Sequence, residues 1–311
     1  MTALQASRLS PAKPPPAPFD LAQPAAYRQW RDAKLAGAAT APADLQVGIA
    51  DPRQLTPAEH AALAACIDRN NMAIYQLAQP ELMDKPALRR FAAQLGLQRL
   101  DHNMGADEDS ITSLRVVSEQ PQRGYIPYSN RPLNWHTDGY YNPPARTIRA
   151  VILHCQSPAA AGGDNGLIDH ELIYLQLRDE APELVAALMQ PDAMSIPANV
   201  EGGTELRELQ TGPVFSVEPA TGRLHMRYTA RQRNVIWRDD PLTQRAASRL
   251  RELMQASPWR LQYRLQPGEG LVSNNVLHCR EPFEDDPDRP RLLYRARYYD
   301  AIDTAAIHPE A

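Results

Sequence analysis

The run Asn134-Trp135-His136-Thr137-Asp138-Gly139 concentrates more chemistry than any other stretch of the chain. In an extended segment side chains alternate between faces, so His136 and Asp138 share a side and set an imidazole beside a carboxylate. Two donors do not complete a metal site. The best third donor is His278, in Asn274-Asn275-Val276-Leu277-His278, which follows the Pro267–Gly270 turn and a short apolar strand. Two histidines and one carboxylate occupy one face of an octahedral iron(II) ion and leave three positions open for a bidentate cosubstrate and oxygen. Such a site needs an anion clamp. Arg291, thirteen residues beyond His278, has a planar guanidinium that can grip a carboxylate through two hydrogen bonds. A His-x-Asp triple alone is more often a structural pair; the late histidine and arginine strengthen the case.

Several elements must hold these residues. Thr56, Pro57 and Glu59 form a capping box that starts a helix, with Leu63 and Ile67 on one face. Met72–Tyr75 reads as a strand, Pro86–Leu95 as a helix and Ile111–Val117 as a strand. Thr147–Leu153 is strand-like, and Asp169 and Pro182 each open a helix. Val214–Val217 and Leu224–Tyr228 flank a turn and predict a hairpin. A long helix starts at Pro241, and Leu292–Tyr299 is the last strong strand. This order lacks regular βαβ alternation, so a barrel or sandwich with external helices is expected over a doubly wound sheet.

Composition excludes some classes. The 311 residues suit one large domain, and 33 basic against 37 acidic residues give a charge of -4, too mixed for a nucleic-acid partner. Cys66, Cys155 and Cys279 are too few for a disulfide framework and fit a reducing, cytoplasmic setting. No apolar run spans a membrane, and no secretory leader is evident. Six prolines among the first 24 residues predict a proline-rich extension over residues 1–44, partly disordered, ahead of a single domain over 45–311.

Together, the run Tyr128–Asp138, the segment Gly162-Gly-Asp-Asn-Gly-Leu-Ile-Asp169, His278 and Arg291-Leu-Leu-Tyr-Arg-Ala-Arg297 resemble the taurine and 2,4-dichlorophenoxyacetate dioxygenase family. These are iron(II)/2-oxoglutarate oxygenases, and the family also takes in γ-butyrobetaine hydroxylase. The resemblance covers roughly residues 45 to 300. It implies a mainly β distorted double-stranded β-helix, or jelly roll, with external helices. It also implies His136, Asp138 and His278 as iron ligands and Arg291 as the clamp on 2-oxoglutarate, with oxygen as second cosubstrate. Where the family often has threonine after Gly-Gly-Asp/Glu, this chain has Asn165, whose amide can still donate to the cosubstrate. The zinc module of γ-butyrobetaine hydroxylases has no counterpart.

The implied reaction couples decarboxylation of 2-oxoglutarate, to succinate and carbon dioxide, with hydroxylation of an unactivated C–H bond. The substrate is a small molecule. Tyr128 resembles one tyrosine of a trimethylammonium cage, and Trp135 and Tyr140 add aromatic surface. Arg295 looks like the arginine that the taurine branch uses for a sulfonate, and Arg297 replaces a second cage tyrosine. Alternation puts Arg291, Arg295 and Arg297 on one face, which favours an acid-bearing substrate. Arg297 has a competing reading as the partner of a structural carboxylate. The alternatives are desaturation, cyclisation or cleavage with the same cofactor, or a non-catalytic jelly-roll binding module. A homo-oligomer is compatible with the sequence.

Overall fold

The computed structural model describes residues 17–102, 107, 109–117, 126–231, 233 and 235–304. Six α-helices are present among them: α1 (Pro24–Ala36), α2 (Pro57–Asn70), α3 (Lys85–Ala93), α4 (His170–Glu180), α5 (Pro182–Leu188) and α6 (Pro241–Ala256). Their starts follow local chemistry. Thr56 and Glu59 make the expected capping box on α2, and Asp84, Asp169 and Asp240 each accept a backbone N–H at the next helix start.

The larger sheet has six strands in the spatial order Gln46–Ile49, Met72–Leu77, Glu269–Ser273, Ala150–Ser157, Leu292–Tyr298 and Thr112–Leu114. The first pair is parallel and the other four are antiparallel. A second sheet runs Leu261–Tyr263, Asn165–Ile168, Leu277–Arg280 and Leu133–His136, all antiparallel. Four smaller sheets of two or three strands account for the remaining described strands.

The expectation of a mainly β jelly roll is corrected here. Helix and strand are present in similar proportion, and the fold is mixed α/β. Both large sheets stay open, each ending in two edge strands, and do not close into a double-stranded β-helix. Alternation in sequence marks which residues share a face. It does not encode which strand pairs with which, so closure could not be read from it.

Period-two alternation does sort the core. Ala73, Tyr75, Val272 and Ile152 face α2 and α3, while Ile74, Leu271 and Leu153 face the other way. There they meet Leu167 and Leu261 of the four-stranded sheet and Val276, which leads into its third strand. That sheet turns Ile168 and Leu277 outward against α4, α5 and α6. The space between the two sheets therefore receives Leu293, and by the same alternation Arg295 and Arg297, from one side. It receives Val276, and hence His278, from the other.

Within the expected N-terminal extension, Phe19 and Tyr27 are buried against Tyr174 and Leu177 of α4. Lys34 of α1 is also buried, between Asp169 (2.6 Å) and Glu171 (2.5 Å). Residues 1–16 lie outside the described residues.

Candidate metal centre and its anion pocket

Sheet register builds the first half of the site. His278 lies directly opposite His136 in the antiparallel ladder, so neighbouring strands present both imidazoles from one face. Their ring centroids are 4.2 Å apart. Each Nδ1 faces a backbone carbonyl two residues back, Asn134 at 2.9 Å and Val276 at 3.0 Å. A carbonyl only accepts, so both Nδ1 atoms carry hydrogen and both Nε2 lone pairs are free.

Asp138 arrives differently from the sequence expectation. The strand ends at His136, and Asp138 opens a turn instead of continuing an extended segment. Gly139 follows at φ +68°, and a Cβ there would lie 2.4 Å from Ile148 Cγ1. The backbone N–H of Asp138 donates to Asn275 Oδ1 (2.7 Å), and Asn275 Nδ2 donates to the carbonyls of Asp138 (2.9 Å) and Ile148 (2.8 Å). The three side chains still converge, with one ligating atom from each within 4.8 Å of the others.

The electrostatics suit a cation. Burial, with His278 next to it, pushes the His136 imidazole down to about 3, so it is neutral at physiological pH. Burial alone would raise the Asp138 carboxyl. The Arg295 and Arg297 guanidiniums outweigh it and hold the group below the usual carboxylate range. Arg295 Nη1 lies 3.4 Å and Arg297 Nη1 3.9 Å from the same oxygen, Oδ1. The other oxygen, Oδ2, is buried without a hydrogen-bond partner among the described residues. Two free imidazole lone pairs and an orphaned carboxylate oxygen form a donor set that fits a divalent metal such as iron(II).

A cavity adjoins this triad, lined by His278, Asn165, Arg280, Arg291 and Arg295 among others. Arg291 is 4% exposed, yet among the described residues its guanidinium has no hydrogen bond or ion pair, only the Phe283 ring 5.0 Å away. Burial lowers it to about 10, so it keeps its charge at neutral pH. Gly163, at φ +77°, packs beside it; a Cβ there would come within 3.7 Å of Arg291 Nε. Asn165 sits on the neighbouring strand, opposite Arg280 in register.

The proposed substrate residues divide. Arg295 reaches both the cavity and Asp138. Tyr140 stands edge-on to His136 at 6.4 Å, and Tyr128 is buried close enough to Arg295 and Arg297 to feel their charge. Trp135 occupies the opposite face of its strand, against Gly166, with Arg260 5.7 Å over its ring. Arg297 makes a short ion pair to buried Asp101 and a 2.8 Å bond to the Tyr141 hydroxyl, and also lies near Asp138.

Sequence reasoning missed Asn275, Asp101, Tyr141 and Arg280. Arg280 donates to the carbonyls of Ser129 (2.7 Å) and Arg131 (2.6 Å) and so fixes the approach to the Leu133–His136 strand. The usable signal was the polar run Ser273-Asn274-Asn275, which interrupts the apolar approach to His278.

Comparisons with known proteins bear on this site. A family model described as "Taurine catabolism dioxygenase TauD, TfdA family" matches residues 31–297. A uridine-5'-phosphate dioxygenase of Amycolatopsis sp is 29% identical over 273 residues, covering 83% of this chain and 97% of that protein. A uridine-5'-phosphate dioxygenase of Streptomyces sp is 29% identical over 201 residues, covering 63% and 72%. Among solved structures, AAD-2 in complex with Mn(II) and N-oxalylglycine aligns with a TM-score of 0.59 at 14% identity, covering 83% of this chain and 95% of that one. A taurine dioxygenase from Burkholderia xenovorans gives 0.53 at 18%, covering 81% and 87%. At these identities the structural likeness speaks to the fold alone. No described helix is long and apolar enough to cross a membrane.

Proposed function

The chain belongs to the taurine catabolism dioxygenase TauD, TfdA family of iron(II)/2-oxoglutarate-dependent dioxygenases, and from that premise we propose that it hydroxylates a small, acid-bearing organic molecule. In this reading His136, Asp138 and His278 hold iron(II), Arg291 grips the far carboxylate of 2-oxoglutarate, and Asn165 donates to the cosubstrate. The carrying observation is Arg291: a buried guanidinium without an acid partner among the described residues, lining the same cavity as His278 and Asn165. Burying a lone charge costs several kcal/mol, so a site that keeps one is built for an anion.

When bound, the metal and cosubstrate supply the oxidising power for C–H cleavage. The chain's own part is orientation and shielding. The backbone carbonyls of Asn134 and Val276 keep both imidazoles in the ligating tautomer. In this reading Arg295 holds Asp138 ionised and offers its remaining donors to a substrate anion, with Tyr140 beside His136 and Tyr128 near Arg295 as the aromatic residues at hand.

The acid we favour is a phosphate monoester, with uridine-5'-phosphate first, because both curated relatives carry that activity in their names. A planar guanidinium such as that of Arg295 suits a phosphate as it suits a sulfonate. Hydroxylation at a carbon bearing the phosphate ester would expel phosphate, so cleavage is the alternative outcome and product analysis separates the two. No cationic substrate of the γ-butyrobetaine kind is favoured by these arginines.

The test is anaerobic absorption spectroscopy of metal-free protein titrated with iron(II), then 2-oxoglutarate, then uridine-5'-phosphate. A visible charge-transfer band that needs both iron and 2-oxoglutarate, vanishes in His278→Ala and shifts with the nucleotide supports the full reading. A band unmoved by the nucleotide removes that substrate, and no band at all returns the chain to a binding module.

A further inference from the structure

We propose that Asn275 is the positioning residue that fixes Asp138 against His278, a role that rests on the reading of the triad as a metal centre. Asp138 needs one, because it stands past the end of its strand and has no ladder to hold it. Its backbone is instead read by one side-chain amide from both sides. Asn275 Oδ1 accepts from the Asp138 N–H at 2.7 Å, and Nδ2 donates to the Asp138 carbonyl at 2.9 Å. The second Nδ2 hydrogen goes to the Ile148 carbonyl at 2.8 Å, so both amide donors are used.

Three further facts make this more than a buried hydrogen bond. Asn275 is 1% exposed, so neither it nor the Asp138 backbone can turn to water for replacements. It adopts φ 54°, a left-handed conformation that asparagine tolerates better than most side chains and that clusters at functional sites. It also lies three residues before His278, on the segment leading into that ligand's strand. One amide thus couples the only ligand carried by a turn to a ligand carried by the ladder. Ile148, the third partner, is the residue that Gly139 must avoid, so turn, clamp and packing meet at one point.

The measurement is Co(II) binding to the purified full-length protein, followed by the visible ligand-field spectrum, with the heat-denaturation midpoint of the same metal-free samples. Removing partners that orient metal ligands typically weakens affinity about ten- to a hundredfold, and that loss, with an altered spectrum, is expected for Asn275→Ala and for near-isosteric Asn275→Asp. Asn274→Ala is the comparison. Asn274 is equally an interior asparagine, but it donates to Asn71 (3.1 Å) and so joins the Asp169 network instead. It should lower the midpoint and leave Co(II) affinity unchanged. If Asn275→Ala does not fold, Asn275→Gly, which relieves the left-handed backbone, carries the same comparison. Asn275 variants that lose stability yet bind Co(II) with wild-type affinity and spectrum would overturn the proposal. Wild-type protein that fails to bind Co(II), or binds it equally as His136→Ala, would instead remove the metal centre itself.

Discussion

At the scale of single residues, the site is governed by which buried charges have partners. Arg297 and Arg291 lie six residues apart on one face; the sequence reading makes Arg291 the cosubstrate clamp and leaves Arg297 between a substrate contact and a structural pair. Arg297 is paired with Asp101, bonded to Tyr141 and 3.9 Å from Asp138, so its charge already faces two carboxylates of the chain. Arg291 has no such partner among the described residues. Arg291→Ala is therefore expected to raise the 2-oxoglutarate dissociation constant by about 10- to 150-fold, the equivalent of about 1.5–3 kcal/mol for hydrogen bonds to a charged group. Titration of the anaerobic iron complex measures it, and an unchanged constant would pass the clamp to Arg295. The triad was legible from residue type and from the family resemblance, although Asp138 reaches it through a turn and not through alternation. The division between the arginines was not, since Asp101 is almost two hundred residues from Arg297 and nothing local announces the pair.

At the scale of elements, the helices were readable and the sheets only half so. The capping box at Thr56, the proline at the start of α2 and the aspartate before α4 are local signals, and the structure realises each. Strand positions also came through, as with the Phe215–Val217 and Leu224–Met226 hairpin. Closure and partner choice did not, because they depend on contacts between distant segments. The turn at Asp138 is the clearest case: His-x-Asp spacing suits an extended run, but Gly139 at φ +68° already bends it. Gly139→Ala would put a Cβ 2.4 Å from Ile148 Cγ1 in a backbone region that costs an L residue about 1–2 kcal/mol. We expect the variant to fold with a lower denaturation midpoint and to lose most metal-dependent turnover, because the displaced turn carries the carboxylate ligand. Activity at the wild-type level would show that the turn yields without moving Asp138.

At the scale of the whole molecule, the interior also holds a histidine outside the candidate metal centre, within the larger sheet. His154 is fully buried in the six-stranded sheet, 3.0 Å from the Tyr75 hydroxyl, and burial holds its imidazole down to about 4. Between pH 6.5 and 4 the unfolded chain takes up a proton that the folded protein refuses, so stability falls as pH falls through that window. The full shift corresponds to about 3 kcal/mol. Urea unfolding at a series of pH values should give a shallower acid loss for His154→Gln than for wild type, and parallel curves would assign the loss elsewhere. The pairing of His278 with His136 also bears on how the protein is made. A ribosome delivers His136 and Asp138 long before His278, Asn275 or Arg291. A chain still in synthesis thus holds two loosely tethered candidate ligands, without the amide proposed to orient one or the arginine proposed to clamp the cosubstrate. On the proposed reading, the metal site is complete only when the Leu277–Arg280 strand slots in beside Leu133–His136, so metal loading would belong to the finished protein.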